Sequence, residues 1–224
     1  GNDLLFDESL CKQGKGFGNK IWNAFKLITS WEVSEEIEQP ESSKIAIDWY
    51  QSVFQSKLRE LEDHFSKYRI SDALMTSYKL VWDDFCSWFL ELIKPDYKQP
   101  IDKRTLDASI KLFEDNLKIL HPFMPFITEE IWHQIKDRSP KDALTISSWP
   151  DQKDYDDSLI TEFAFAAEVI SGIRTIRKDK NIAFKNPIDL VIINNESVSK
   201  ELDPVILKMG HIKNLSYTDS PVEG

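Results

Sequence analysis

Residues 71–95 read SDALMTSYKLVWDDFCSWFLELIKP, and this stretch decides the fold class. Its apolar side chains recur every three or four positions, the spacing that gives an α-helix one buried face. They are Leu74, Tyr78, Val81, Trp82, Phe85, Trp88, Phe89 and Leu92. Ser71-Asp72 can open this helix, and Lys94-Pro95 ends it because the residue before a proline disfavours helical backbone angles. The stretch therefore predicts one long amphipathic helix.

The same spacing continues on both sides of this helix. It predicts helices over 10–31 and 42–68 before it, a fourth helix over 102–121 and a short fifth one after Pro125. Ser42 or Ser43 is expected to cap the second helix, and Asp102 to introduce the fourth. Residues 137–150 are loop-like, with a short extended piece expected at Leu144-Thr145-Ile146. Helices joined by short loops predict a helical bundle over residues 1–150.

The pattern changes in residues 151–224. A helix is predicted over 157–180 and another over 197–209, with Gly210 as its stop. The β-branched run Ile188–Ile193 predicts a buried strand, and Ile212–Tyr217 a second strand. The fold class is therefore predicted to be mainly α, a bundle followed by a small α/β appendage.

Composition narrows the classes of function. The chain has 224 residues, 41% of them hydrophobic, and a net charge of -10, which argues against a nucleic-acid partner because such proteins usually carry a basic surface. No apolar run is long enough to predict a membrane span. Two cysteines, Cys11 and Cys86, predict neither a disulfide framework nor a zinc site, so we expect a reducing, cytoplasmic location. We also expect a monomer. The first residue is Gly1 and not Met, which predicts an excised fragment.

One helix departs from this acidic average. Four lysines and no acidic residue lie between Ser9 and Trp31. At 100° per residue, one narrow sector of the helix holds Lys12, Lys15, Asn19, Asn23 and Lys26, and Lys20 is the fourth lysine of the stretch. Lysines suit phosphates, asparagines suit base edges, and Trp22 and Trp31 could stack on unpaired bases. Taken alone, the pattern favours an ordinary solvated helix face.

A second cationic group ends the helix over 157–180. Arg174 and Arg177 lie three positions apart on one face, with Lys178 and Lys180 following. The helix dipole and nearby carboxylates explain these cations as well as a nucleic-acid contact does. The pattern leaves both interpretations open.

Other residue patterns predict no catalytic centre. Glu130 and His133 form a single E-x-x-H pair, whereas a carboxylate-bridged di-iron bundle needs two. The pair Asp83-Asp84 has no nucleophile or histidine beside it in sequence, and the glycines at 14–18 follow no strand and so do not form a phosphate-binding loop. We expect no metal and no cofactor in these residues.

Four segments resemble motifs of one enzyme family. They are QGKGFGNKIWNAF at 13–25, DFCSWFLELIKP at 84–95, LHPFMPFITEEIW at 120–132 and IRTIR at 173–177. In amino-acid sequence and in order along the chain they resemble the region after the catalytic domain in valyl-tRNA synthetases, which are class I aminoacyl-tRNA synthetases. Isoleucyl and leucyl enzymes carry looser versions of the third segment. Lys15 stands where the family usually has arginine, and lysine keeps the charge but loses the planar fork that makes paired contacts.

The resemblance implies an anticodon-binding helical bundle at 1–150 and an appendage at 151–224 that precedes a coiled coil. It implies that the bundle binds the anticodon stem-loop of valine tRNA. The contact residues implied are Lys12, Lys15, Asn19, Lys20, Trp22, Asn23, Lys26, Trp31, Arg174 and Arg177. Valine ligation with ATP and Mg, and editing, belong to catalytic and editing domains of the parent chain, whose motifs are absent here.

Three alternatives remain open at this point. The chain could be the corresponding region of an isoleucyl or leucyl enzyme. It could also be a metal-binding helical bundle, or a helical protein-interaction adaptor without an RNA ligand.

Overall fold

The computed structural model describes residues 7–193 and 200–219. The first part of the chain forms α1 (Glu8–Thr29), α2 (Glu41–Ser66), α3 (Ile70–Lys79), a π-helical segment (Leu80–Phe89), α4 (Leu90–Ile93), α5 (Lys103–Leu120) and α6 (Pro125–Ile135). Two short strands, β1 (Val33–Ser34) and β2 (Ile101–Asp102), pair in parallel between these helices. The five helices expected up to residue 135 are all present, so the bundle is confirmed.

The second part of the chain forms α7 (Asp157–Asp179), β3 (Ile188–Ile193), α8 (Asp203–Gly210) and β4 (Ile212–Thr218). Strands β3 and β4 pair in parallel and make a two-stranded sheet. The mainly α fold with a small α/β part is therefore confirmed. No helix in the described ranges is both long and apolar enough to cross a membrane.

The long helix predicted over 71–94 is continuous but is not α-helical throughout. Its middle, Leu80–Phe89, is a π-helix, in which the Ser87 hydroxyl donates to the carbonyl oxygen of Trp82 at 2.9 Å. A π-helix turns less per residue than an α-helix, so it redistributes side chains around the helix axis. Trp82 consequently faces α1, while Trp88 faces α7, its ring centroid 5.8 Å from that of Phe163.

The N-terminus of α5 begins as the sequence predicts, whereas that of α2 does not. The Asp102 carboxylate accepts the backbone N–H of Thr105 at 2.8 Å, as the sequence predicts for the start of α5. The serine cap expected for α2 is wrong, because Pro40 occupies the cap position. Ser42 and Ser43 lie inside the first turn and are buried.

Residues 144–146 form a 3₁₀ turn and not the extended piece expected from the sequence. The Glu129 carboxylate on α6 accepts the backbone N–H groups of Leu144 and Thr145, at 2.9 and 3.4 Å. This charged acceptor satisfies the two donors that a strand would otherwise present to a neighbour.

The α/β part differs from the sequence prediction in three details. Strand β3 is not buried, since Val191 and Ile193 are 43% and 53% exposed and alternate with half-buried residues. Helix α8 is shorter than expected and follows a 3₁₀ turn at 200–202, while residues 197–199 lie outside the described ranges. The left-handed residue that ends α8 is His211, with φ of 51°, and not Gly210.

One hydrophobic cluster runs through both parts of the chain. The rings of Trp49 on α2 and Phe163 on α7 stack with centroids 3.8 Å apart. Ile170 on α7 and Val205 on α8 belong to the same buried cluster as Phe113 of the bundle. The domain boundary near residue 150 stays a prediction, because the core continues across it.

Candidate nucleic-acid interface

The exposed face of α1 is the one predicted from its sequence. Lys12, Lys15, Asn19, Asn23 and Lys26 are all exposed, and we call these five residues the basic face. The opposite side of α1 is buried in the core through Phe17, Ile21, Ala24 and Ile28. The Asp7 carboxylate starts the helix by accepting the backbone N–H of Ser9 at 2.8 Å. Core packing therefore holds the basic face toward solvent.

The lysines of the basic face are largely free to bind an anion. Lys12 pairs with Glu8 at 3.0 Å, but both side chains are more than 70% exposed, and such pairs stabilise proteins very little. No carboxylate in the described part of the chain lies within 4.0 Å of the Lys15 or Lys26 ammonium group. Exchanging these contacts for RNA phosphates therefore breaks no strong interaction.

The two tryptophans that the sequence offers for stacking are only partly accessible. Trp22 is half-buried beside Phe25, with ring centroids 5.4 Å apart, and the Lys26 ammonium lies 6.0 Å from the Trp22 ring centroid. Trp31 is half-buried and packs against the core cluster. Both rings therefore support the bundle in addition to bordering the surface.

Lys20 points away from the centre of the basic face. It is half-buried, and its ammonium lies 5.4 Å from the ring centroid of Trp82 on the π-helical segment. Trp82 stacks with Tyr78 at 5.5 Å between centroids, and Phe17 of α1 contacts both rings. Sequence reasoning did not associate Trp82 with α1, because only tertiary packing brings these two helices together.

The two arginines of α7 have different environments. Arg174 is exposed, with its guanidinium 5.4 Å from the Trp88 ring centroid. Arg177 is 4% exposed and donates to the carbonyl oxygens of Ala183, Asn186, Gly210 and His211 at 2.9 to 3.2 Å. The sequence left open whether these arginines have local partners or contact nucleic acid, and the Arg177 guanidinium has local partners, the four backbone carbonyls. Arg177 is a structural residue of the α/β part.

A carboxylate pocket lies on the other side of the π-helical segment. It has a volume of about 410 Å³ and is lined by Asp83 and Asp84 together with Lys57, Glu60 and His64 of α2. Burial, reinforced by the neighbouring Asp83, raises the pKa of the Asp84 carboxyl to about 6. Because this negative charge faces α2, it is separated from the α1 side of the segment.

The remaining candidate groups have structural partners. His133 lies 3.2 Å from the Glu129 carboxylate, and Glu130 bonds to Gln134. Throughout residues 7–193 and 200–219, no three His, Cys, Asp or Glu side chains are grouped to hold a metal ion. Burial raises the pKa of the Cys86 thiol to about 12, so this thiol stays protonated and unreactive near neutral pH.

Comparison with known proteins shows the family of this chain. Residues 48–192 match the family described as the anticodon-binding domain of tRNA ligase. The whole chain is 62% identical to a valine–tRNA ligase of Christiangramia forsetii, aligned over 26% of that protein. It is 42% identical to that of Parabacteroides distasonis, and 28% identical over 98% of the chain to that of Thermotoga maritima, each time covering 25% of the relative.

The chain thus spans about a quarter of the length of the curated relatives that it matches. Helix α1 precedes the segment matched by the family model but lies within the alignment to the Christiangramia protein. The resemblance to the anticodon-binding region of valyl-tRNA synthetases, inferred from four motifs, is confirmed. The chain belongs to the family of anticodon-binding domains of tRNA ligases.

Proposed function

We propose that this chain binds the anticodon stem-loop of valine tRNA through the basic face of α1. The observation that carries the proposal is the contrast in charge between this face and the rest of the protein. The chain has a net charge of -10, yet α1 presents Lys12, Lys15 and Lys26 together on one exposed side. A local cationic site on an acidic protein concentrates a polyanion at that site and repels it elsewhere.

Each residue type has a distinct part in the proposed complex. The lysines contact phosphates, which provides affinity and salt dependence. Asn19 and Asn23 are exposed one turn apart, and their amides can bond to base edges or ribose hydroxyls. Trp22 on α1 and Trp31 just after it are half-buried rings that can stack on bases, and Arg174 offers a second exposed cation. Arg177 is left out of the contact set because it is buried.

The specificity for valine tRNA rests on the relatives, which are valine–tRNA ligases. In this proposal, valine ligation with ATP and Mg, and editing, are carried out by catalytic and editing domains of the same polypeptide outside these 224 residues. The chain itself would hold no cofactor and act as a monomer. A cytoplasmic location is part of the proposal and is in keeping with the free thiols of Cys11 and Cys86.

A salt titration of RNA binding tests the proposal. Wild type, Lys15→Ala, Lys26→Ala and the double variant are titrated with a synthetic valine anticodon stem-loop at several salt concentrations. Each lost phosphate contact is expected to lower the slope of log affinity against log salt by about 0.7 to 0.9. Lys103→Ala is the matched control, because Lys103 is an exposed helix lysine paired with Asp107 at 3.1 Å on α5.

Two results would overturn the proposal. One is wild-type binding that does not depend on salt. The other is a double variant that binds the stem-loop as tightly as the Lys103→Ala control. A stem-loop with an isoleucine anticodon, used in parallel, reports on the valine specificity.

A further inference from the structure

The basic face of α1 is bordered on both sides by a tryptophan with a lysine over its ring. On one side is Trp22 of α1 itself, with Lys26 at 6.0 Å from the ring centroid. On the other side is Trp82 of the π-helical segment, with Lys20 at 5.4 Å. The interface is therefore composite, since Trp82 comes from a helix distant in sequence.

The Trp82 ring is held firmly from the inside. It stacks on Tyr78 with an angle of 16° between the ring planes, and Phe17 lies 6.2 Å away between centroids. Lys20 reaches the same ring, and both Lys20 and Trp82 are half-buried, so the pair sits at the edge between core and solvent. A pre-oriented aromatic ring beside a mobile cation has the composition of sites that bind single-stranded nucleic acid.

We propose that Trp82 is a base-stacking residue of the tRNA site and that Lys20 covers its ring in the free protein. When RNA binds, the ammonium moves to a phosphate and an unpaired loop base takes its place on the ring. The exchange costs little, because a half-exposed cation–π contact is weak and the flexible lysine stem can reach a new partner. This inference rests on the proposed function and extends its binding site to the π-helical segment.

The negative charges that follow Trp82 in sequence do not oppose this role. Asp83 and Asp84 line the pocket that faces α2, where Lys57 and His64 lie with them. The cation nearest to the Trp82 ring is Lys20. The π-helical geometry thus presents the aromatic ring to α1 and the carboxylates to α2.

A matched control exists in the same segment. Trp88 is also half-buried, also has a cation over its ring, Arg174 at 5.4 Å, and also packs on a phenylalanine. It faces α7 and not α1. Substituting either tryptophan removes a half-buried ring from the same segment, whereas of the two only Trp82 borders the basic face.

The experiment compares two RNAs, the valine anticodon stem-loop and the same stem-loop with abasic loop nucleotides. Trp82→Leu is expected to weaken binding of the intact loop by about 5- to 150-fold, the usual range for one stacked base, and to leave abasic binding unchanged. Trp88→Leu should not distinguish the two RNAs, because any effect through Arg174 is on a phosphate contact. Lys15→Ala should weaken both equally, because it removes a phosphate contact.

Fluorescence supplies a readout that keeps the aromatic packing. RNA binding should quench a smaller share of the tryptophan emission in Trp82→Phe than in Trp88→Phe. The indole on which the base stacks is absent from Trp82→Phe and present in Trp88→Phe. If wild type binds the stem-loop but Trp82→Leu weakens both RNAs equally, or if both Phe variants quench alike, the stacking role is wrong while the proposed function stands. If wild type binds neither RNA, the proposed function itself fails.

Discussion

Replacing Arg177 by methionine should destabilise the α/β part of the chain strongly. The guanidinium is 4% exposed and donates to four carbonyl oxygens from two segments, the residues that follow α7 and the C-terminal end of α8. Methionine fills much of the volume but donates nothing. The four carbonyl oxygens that accepted from Arg177 are then left without these donors. The hydrogen bond to the Gly210 carbonyl is buried.

The magnitude follows from the cost of unsatisfied acceptors. A buried polar group that loses its partner costs about 1 to 3 kcal/mol, and hydrogen bonds to charged donors lie at the upper end of that range. Water can replace the donors at the three partly exposed carbonyls, so we expect a total of about 3 to 5 kcal/mol and not the full sum. For a chain of this size that corresponds to a fall in melting temperature of about 10 °C.

Thermal and urea denaturation, followed by circular dichroism, measure this loss. Arg174→Met is the control, because Arg174 is exposed on the same helix and its guanidinium lies over the Trp88 ring. It should cost about 1 kcal/mol or less. Hydrogen exchange should show earlier opening of β3 and β4 in Arg177→Met than in the control. A variant within about 1 kcal/mol of wild type would refute the hydrogen-bonding role of Arg177.

Two further predictions concern stability. The pKa of Asp84 is raised from 3.8 to about 6, so the folded protein binds a proton that the unfolded chain releases, and stability falls as pH rises through this window. Asp84→Asn should remove that pH dependence and stabilise the protein at pH 7 by about 1 to 3 kcal/mol, as measured by urea denaturation. If the free energy of unfolding of the variant depends on pH between 4 and 7 as that of wild type does, the prediction is contradicted. At Gly210, an added methyl group would lie 2.9 Å from Ile212 and 3.1 Å from Ile173. Gly210→Ala should therefore lower the free energy of unfolding by about 1 to 3 kcal/mol. Gly172→Ala should be neutral or stabilising, because its added methyl group meets nothing within 4 Å. Equal melting temperatures of the two variants would argue against the steric reasoning.

The helical bundle was predictable because it follows from local periodicity. The apolar stripes of α1, α2 and α5 each satisfy the three- and four-residue rule, and the Asp102 cap signal was correct. The π-helical segment was not predictable. The apolar residues Val81, Phe85 and Phe89 keep the four-residue spacing of an α-helix, so the sequence carries no sign of a change in helical twist.

The α/β part shows where local patterns fail. Arg174 and Arg177 look equivalent in sequence, since both are arginines on the same turn of α7. Only folding brings the carbonyls of Gly210 and His211 within reach of one of them. Strand β3 likewise reads as buried from its β-branched residues, but its two-stranded sheet leaves Val191 and Ile193 exposed.

By itself, the sequence determined the mainly α bundle, the exposed basic face of α1 and, through four motif segments, the family. The bundle and the basic face follow from the order of residues along single helices, and the family follows from contiguous sequence motifs. Tertiary structure alone decided that Trp82 borders the basic face and that Arg177 is buried. The physical reason is that burial and ring contacts depend on which helices meet, and residues far apart in the chain make those contacts.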